Sequence, residues 1–234
     1  MASPEPRPLW RDRREAGQAL ASRFADLRGR AADCWLLALP RGGVAVGAEM
    51  ARRLNLPLAC WAVRKIAHPA DPEVAIGAVA PGGVVLWDRE DRGSLTLGEG
   101  ERRRLVEGQR RELERRRQRF GDPEPARLLD RHLVVVDDGI ATGMTARAAL
   151  QSLRQLRPAS LALAVPVVDR RVVPDLESLV DRFEALAVVE PLRSVGEWYQ
   201  NFAQLDDREV LRLLAACTAE PLWPTATQQI KSED

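Results

Sequence analysis

Residues 133–145, Leu-Val-Val-Val-Asp-Asp-Gly-Ile-Ala-Thr-Gly-Met-Thr, constrain this chain more than any other stretch. Four apolar residues, three of them β-branched, predict a buried parallel strand. The apolar spacing over Met144–Leu156 predicts a helix, with Thr142 or Thr145 available to cap its start. A helix N-terminus turns free N–H groups and the positive end of its dipole toward a phosphate. The two carboxylates between strand and helix would repel a bare phosphate. Asp137 and Asp138 therefore point to a ligand with sugar hydroxyls or to a magnesium ion. A buried strand ending in an Asx turn would account for Asp-Asp-Gly, whereas thirteen consecutive positions fit the phosphate-site reading.

A second turn of the same kind precedes it. Cys34–Leu39 is a continuous apolar run and reads as a buried strand. It ends in Pro40-Arg41-Gly42-Gly43, and a helix follows with Val44, Ala48, Ala51 and Leu54 on one face. Paired glycines let the backbone approach an anion closely. A dinucleotide fold would begin similarly, but Gly42-Gly43-x-x-x-Gly47 does not fit GxGxxG. The residues about twenty positions on (Trp61, Ala62, Val63) also lack a ribose-binding acid. Leu58–Val63 reads as the next strand and runs into Arg64-Lys65. Lysine occurs only at 65 and 231 in an Arg-rich chain, which makes the placement of Lys65 informative. Ile66–Glu73, with two prolines, reads as a loop. Ala75–Ala80 and Val84–Trp87, joined by Pro81-Gly82-Gly83, read as a hairpin.

Trp10–Leu27 has helical spacing and reads as a covering helix stopped at Gly29. Gly98–Phe120 reads as a basic helix, with nine Arg against four Glu from Glu101 onward. Glu–Arg spacings such as Glu107–Arg111 and Glu112–Arg116 make it a solvated helix rather than a nucleic-acid surface. Strands at 161–165 and 184–189 flank a short helical segment at 172–179, and a last helix spans 206–216. The sum is an α/β chain whose mostly parallel sheet has about five core strands. The 234 residues divide into an N-terminal arm and covering helix (1–30), a main domain (31–220) and a disordered tail (221–234). A net charge of +1 gives no global case for nucleic acid or membrane, and no apolar run is long enough for a span. Three cysteines without CxxC spacing suit a reducing, cytoplasmic setting.

The acidic motif resembles the signature of type I phosphoribosyltransferases, which bind phosphoribosyl pyrophosphate (PRPP). Residues 34–204 carry the resemblance. PRGG, VRK, DDGIATG and VGxWYxxF segments are most similar to a group of predicted bacterial phosphoribosyltransferases. The resemblance implies a three-layer α/β domain with a flexible-loop hairpin and a small C-terminal hood at about 190–204. It implies that Asp137 and Asp138 hold the ribose hydroxyls, with Mg2+ near them. Ala141, Thr142, Gly143, Met144 and Thr145 would cradle the 5′-phosphate. Arg41, Gly42, Gly43, Arg64 and Lys65 would hold pyrophosphate, and Trp198 and Tyr199 would wall an unidentified base. The catalytic set is then Asp137, Asp138, Arg41 and Lys65, with Glu73 and His68 among the candidates for acid–base work. The third residue after the acid pair, an Asp in hypoxanthine-guanine enzymes, is Ala141 here, which argues against that activity. A homodimer follows from family habit. The alternative is a PRPP-sensing regulator or silent PRPP binder on the same fold.

Overall fold

A computed structural model describes residues 8–88 and 97–217 of the chain. In chain order the elements are α1 (Arg13–Arg23), β1 (Cys34–Ala38), α2 (Gly42–Leu54), β2 (Leu58–Cys60), β3 (Arg64–His68), β4 (Asp71–Val79) and β5 (Val85–Trp87). Then come α3 (Glu99–Phe120), β6 (His132–Val136), α4 (Met144–Arg154), β7 (Ser160–Asp169), α5 (Val173–Glu177), β8 (Arg182–Val189) and α6 (Asp207–Cys217). Five strands form a parallel sheet in the order β2-β1-β6-β7-β8. Helices cover both faces, so the central strands are apolar at every position rather than at alternate ones. Leu133 and Val135 pack on one side, and Val134 and Val136 on the other. The three-layer α/β architecture expected from sequence is the one observed.

The expected loop at 66–73 is not a loop. β3 and β4 form an antiparallel hairpin, and β5 completes a separate three-stranded sheet. Ile66 is fully buried with Ile76 beneath α3. Register shifts on either side of Ala67 break the alternation that would have revealed the strand. The strand expected over 58–63 stops at Cys60, because the Ala62 N–H leaves the sheet and donates to Asp122 Oδ2 at 2.8 Å. The covering helix is shorter than its periodicity suggests. Asp12 caps it by accepting from the Glu15 N–H at 2.9 Å, and a 3-10 turn at Ala25–Leu27 follows before Gly29 at φ 78°.

The N-terminal segment is tied in before α1 begins. Leu9 N–H donates to the Trp198 carbonyl (3.0 Å), and the Trp10 and Arg11 carbonyls accept from Gln200 and Asn201 (2.9 and 2.8 Å). The remainder of the expected arm, 1–7, and the expected tail, 221–234, lie outside the described residues, as does the Glu73 side chain. No helix among the described residues is long and apolar enough to cross a membrane. Cys34 and Cys60 are buried thiols and Cys217 is half-buried.

Candidate active site

The site stands at the C-terminal edge of the parallel sheet, where open α/β sheets bind ligands. Because β1 pairs directly with β6 (Ala38 opposite Val136), the turns that follow these two strands touch. The contact is closer than side chains would permit. A methyl group on Gly43 would lie 2.6 Å from the Val136 carbonyl oxygen, and one on Gly42 would lie 1.9 Å from Asp138 Oδ2. The paired glycines thus have a structural cause inside the protein: the Arg41–Gly43 turn rests on the acid pair. The Pro40–Arg41 peptide is cis.

Asp137 and Asp138 leave the β-ladder, and Ile140 rejoins it by accepting from Asp169 N–H and donating to the Val167 carbonyl, both at 2.9 Å. Asp138 N–H donates to Asp137 Oδ1 at 2.9 Å, folding one carboxylate back over the next residue. Burial, and then the adjacent Asp138 charge, push the Asp137 carboxyl well above the ordinary carboxylate range. Gly139 is not a left-handed turn residue. A Cβ there would meet Val195 Cγ1 at 2.3 Å, so its small size lets the 195–204 segment dock on the acid loop.

Past the acids, Gly143 (φ 71°) begins α4. Neither Thr142 nor Thr145 caps the helix as expected. The left-handed glycine turns the chain into the helix, and it makes no side-chain capping hydrogen bond among the described residues. That leaves the N-terminal N–H groups of α4 for a ligand, with Thr142 exposed and Thr145 half-buried beside them. A cleft of about 800 Å³ runs along this loop past Met144, Arg147 and Trp87.

The cationic residues are less concentrated than the sequence suggests. Arg41 Nη1 donates to the Leu205 carbonyl at 2.8 Å and lies 3.9 Å from Asp207 Oδ1, so the start of α6 holds this guanidinium. Arg64 Nε donates to Gln109 Oε1 on α3 at 3.2 Å. Burial lowers its pKa, and the neighbouring charges of Arg116, Arg115 and Arg41 add to the effect. The basic helix thus brings Arg115 and Arg116 near Arg64. Both are paired with Glu112, and Arg103 pairs with Glu99, in the ion-paired face expected of this helix. Lys65 is exposed, and its side chain makes no hydrogen bond or ion pair among the described residues. His68 Nδ1 accepts from the Ala70 N–H at 3.1 Å and serves the hairpin turn.

Two residues that the motifs do not mark complete the site. Arg13, the first residue of α1, donates from Nε to Asp138 Oδ2 at 2.7 Å and from Nη1 to the Ala203 carbonyl at 2.9 Å. Its guanidinium stacks 3.7 Å from the centre of the Phe202 ring. Asp122 is the other: its side chain is 1% exposed and it anchors the chain just ahead of Arg64. Arg13 could be anticipated only as an arginine at the start of a covering helix, and nothing local pairs it with residue 138. Tyr199 corrects an expectation. Its ring is buried between Trp10 and Phe202, and its hydroxyl donates to the Asp138 carbonyl at 2.6 Å, so it offers no polar group to a base. Burial raises its pKa far above the ordinary phenol range. Trp198 is half-buried at the edge of the same cluster.

Comparison with known proteins agrees with this geometry. The family model described as "Phosphoribosyl transferase domain" matches residues 14–183. A Mycobacterium tuberculosis protein named "Putative phosphoribosyl transferase" is 41% identical over 211 residues, covering 88% of this chain and 46% of that protein. The chain thus spans about half the length of the curated relatives it matches. Among solved structures, the TT1426 protein of Thermus thermophilus is 35% identical, with a TM-score of 0.68 over 88% of this chain and 97% of that one. The chain, with its acid pair, its uncapped helix and its buried glycine turn on neighbouring parallel strands, belongs to the phosphoribosyl transferase domain family.

Proposed function

We propose that this chain transfers the 5-phosphoribosyl group of PRPP to a nitrogenous base and releases pyrophosphate. The observation that carries the reading is the junction of β6 with α4: two carboxylates followed by a helix start that no side chain caps. A phosphate and a sugar diol on one ligand match those two halves. In this reading Ala141–Thr145 bind the 5′-phosphate through N–H groups and threonine hydroxyls. The Asp137–Asp138 pair hydrogen-bonds the ribose hydroxyls, and the negative charge the pair carries opposes the positive charge that develops on the ring as the C1–O bond to pyrophosphate breaks. The base nitrogen forms the new bond to C1, and its proton passes to solvent or to the departing pyrophosphate. Gly42, Gly43, Arg64 and Lys65 face the departing pyrophosphate, joined by Arg41 once Leu205 and Asp207 release it. Much of the rate would come from holding the reacting centres in place.

Among the described residues no cluster of three or more His, Cys, Asp or Glu could hold a metal alone. Two adjacent carboxylates do suit Mg2+ shared with substrate oxygens. Asp137 and Asp138 would be its protein side, and its chemistry there would be neutralisation of the leaving pyrophosphate.

Calorimetric titration of Mg2+ and PRPP into the purified chain, beside Asp137→Asn/Asp138→Asn, tests the reading. Saturable binding lost in the double variant supports it, and pyrophosphate release is then measured across a panel of bases. Binding without release from any base would support the regulator instead. No binding at millimolar PRPP would overturn both.

A further inference from the structure

Arg13 stands one residue before the family match begins, yet it reaches the second acid of the motif. Its side chain is 10% exposed and that of Asp138 is 15%. Breaking such a pair leaves a poorly solvated charge, yet the pair itself contributes little net stability compared with apolar packing. Its geometry is more specific than stability requires. Three features fix the guanidinium: Asp138 Oδ2 on Nε, the Ala203 carbonyl on Nη1 and the Phe202 ring against its face. Asp138 is held in turn from three sides: Arg13 on Oδ2, Gly42 packed against that oxygen, and Tyr199 on its carbonyl. The Asp138 carboxylate also meets the Asp137 carboxyl, with which it shares a side-chain hydrogen bond. The carboxylate is thus clamped at Oδ2.

We infer that Arg13 is a positioning residue, which orients Asp138 for the ribose diol and links that orientation to the hood segment 195–204. The inference rests on the phosphoribosyl reading. The link follows because the guanidinium is planar and always charged, and its fork joins the two partners rigidly. A movement of Phe202 or Ala203, such as a base entering beneath the hood would cause, shifts Asp138 with it. PRPP affinity and hood position are then coupled, with Arg13 as the connection.

The test compares two probes on the full chain, Mg2+ with PRPP and inorganic pyrophosphate without metal, in wild type, Arg13→Gln and Arg13→Lys. Without metal, pyrophosphate has neither a ribose nor a Mg2+ through which to engage Asp138, so a general disturbance of the fold weakens both ligands, whereas loss of positioning weakens only PRPP. Arg13→Gln is expected to bind PRPP about tenfold or more weakly, the scale of one charge-assisted hydrogen bond. Pyrophosphate affinity should stay within about twofold. Arg13→Lys keeps the charge but cannot reach both partners as a fork. It should fold, by circular dichroism and melting, and lose PRPP affinity several-fold, which decides the matter should the Gln variant fail to fold. Equal losses for both ligands, or Arg13→Lys indistinguishable from wild type, would overturn the assignment. A wild-type chain that binds pyrophosphate but not PRPP, or neither, overturns the phosphoribosyl reading itself and this inference with it.

Discussion

Replacing Gly42 by alanine tests how rigidly the acid pair is held. Alanine is the better helix former, by about 1 kcal/mol in a helix interior, and Gly42 is the first residue of α2. Propensity alone therefore predicts a neutral or slightly stabilised protein. The structure predicts the opposite sign. The new methyl would lie 1.9 Å from Asp138 Oδ2, whereas ordinary contact begins near 3.4 Å, so the carboxylate must retreat by about 1.5 Å. A free side chain would do so at little cost, but this one is bonded to Arg13 at 2.7 Å with both partners nearly buried. Losing a charge-assisted hydrogen bond of this kind costs about 1.5–3 kcal/mol, and more where the charges end unpaired. With a small propensity gain set against it, a net loss of about 2 kcal/mol is expected, or roughly 4–8 °C in melting temperature for a chain of this size. Urea denaturation and thermal melting measure the loss, and Mg2+–PRPP titration should show weakened binding in the same variant. A Gly42→Ala protein as stable as wild type, with PRPP binding intact, would refute the argument, because Asp138 would then be free to swing and the Arg13 clamp would not exist.

Gly43→Ala should be worse than Gly42→Ala, because its methyl meets backbone (Val136 O at 2.6 Å, Asp137 Cα at 3.0 Å) that cannot turn aside; equal stabilities by denaturant titration would contradict this. Tyr199→Phe strands the Asp138 carbonyl and should cost about 1–2 kcal/mol, with the 195–204 segment exchanging amide hydrogens faster. Unchanged exchange there would show that the hydroxyl is not what docks the hood. Asp122 predicts a pH dependence: burial raises its pKa from 3.8 to about 7. Between those values the folded chain keeps a proton that the unfolded chain has released, so its contribution to stability falls as pH rises from about 4 to about 7, by up to about 4 kcal/mol in total. Asp122→Asn can still accept from Ala62 and has no proton to lose, so its melting temperature should fall less between pH 5 and pH 8. An identical pH profile would show that another group titrates there.

The acid pair, the glycine turn and the five core strands were legible because each is a local pattern. A fully buried parallel strand is apolar at every position, and the turn after it is marked by a local run of small, acidic and hydroxyl residues. The β3 strand was not legible, since register shifts around Ala67 erased the period-two signal on which such a reading depends. Nor could local pattern explain the glycines. Gly42 and Gly43 look like a general anion turn, but it is the pairing of β1 with β6, which lie nearly a hundred residues apart, that presses them against Asp138 and Val136. The same holds for Arg13, Tyr199 and Gly139. Their partners are Asp138, the Asp138 carbonyl and Val195, at separations that no spacing rule connects. The sequence by itself determined which residues offer charge and hydrogen-bonding groups at the two turns, because those capacities belong to the residue. Only the tertiary structure decided that Asp138 is clamped at Oδ2, because that depends on the docking of α1 and the hood against the edge of the sheet.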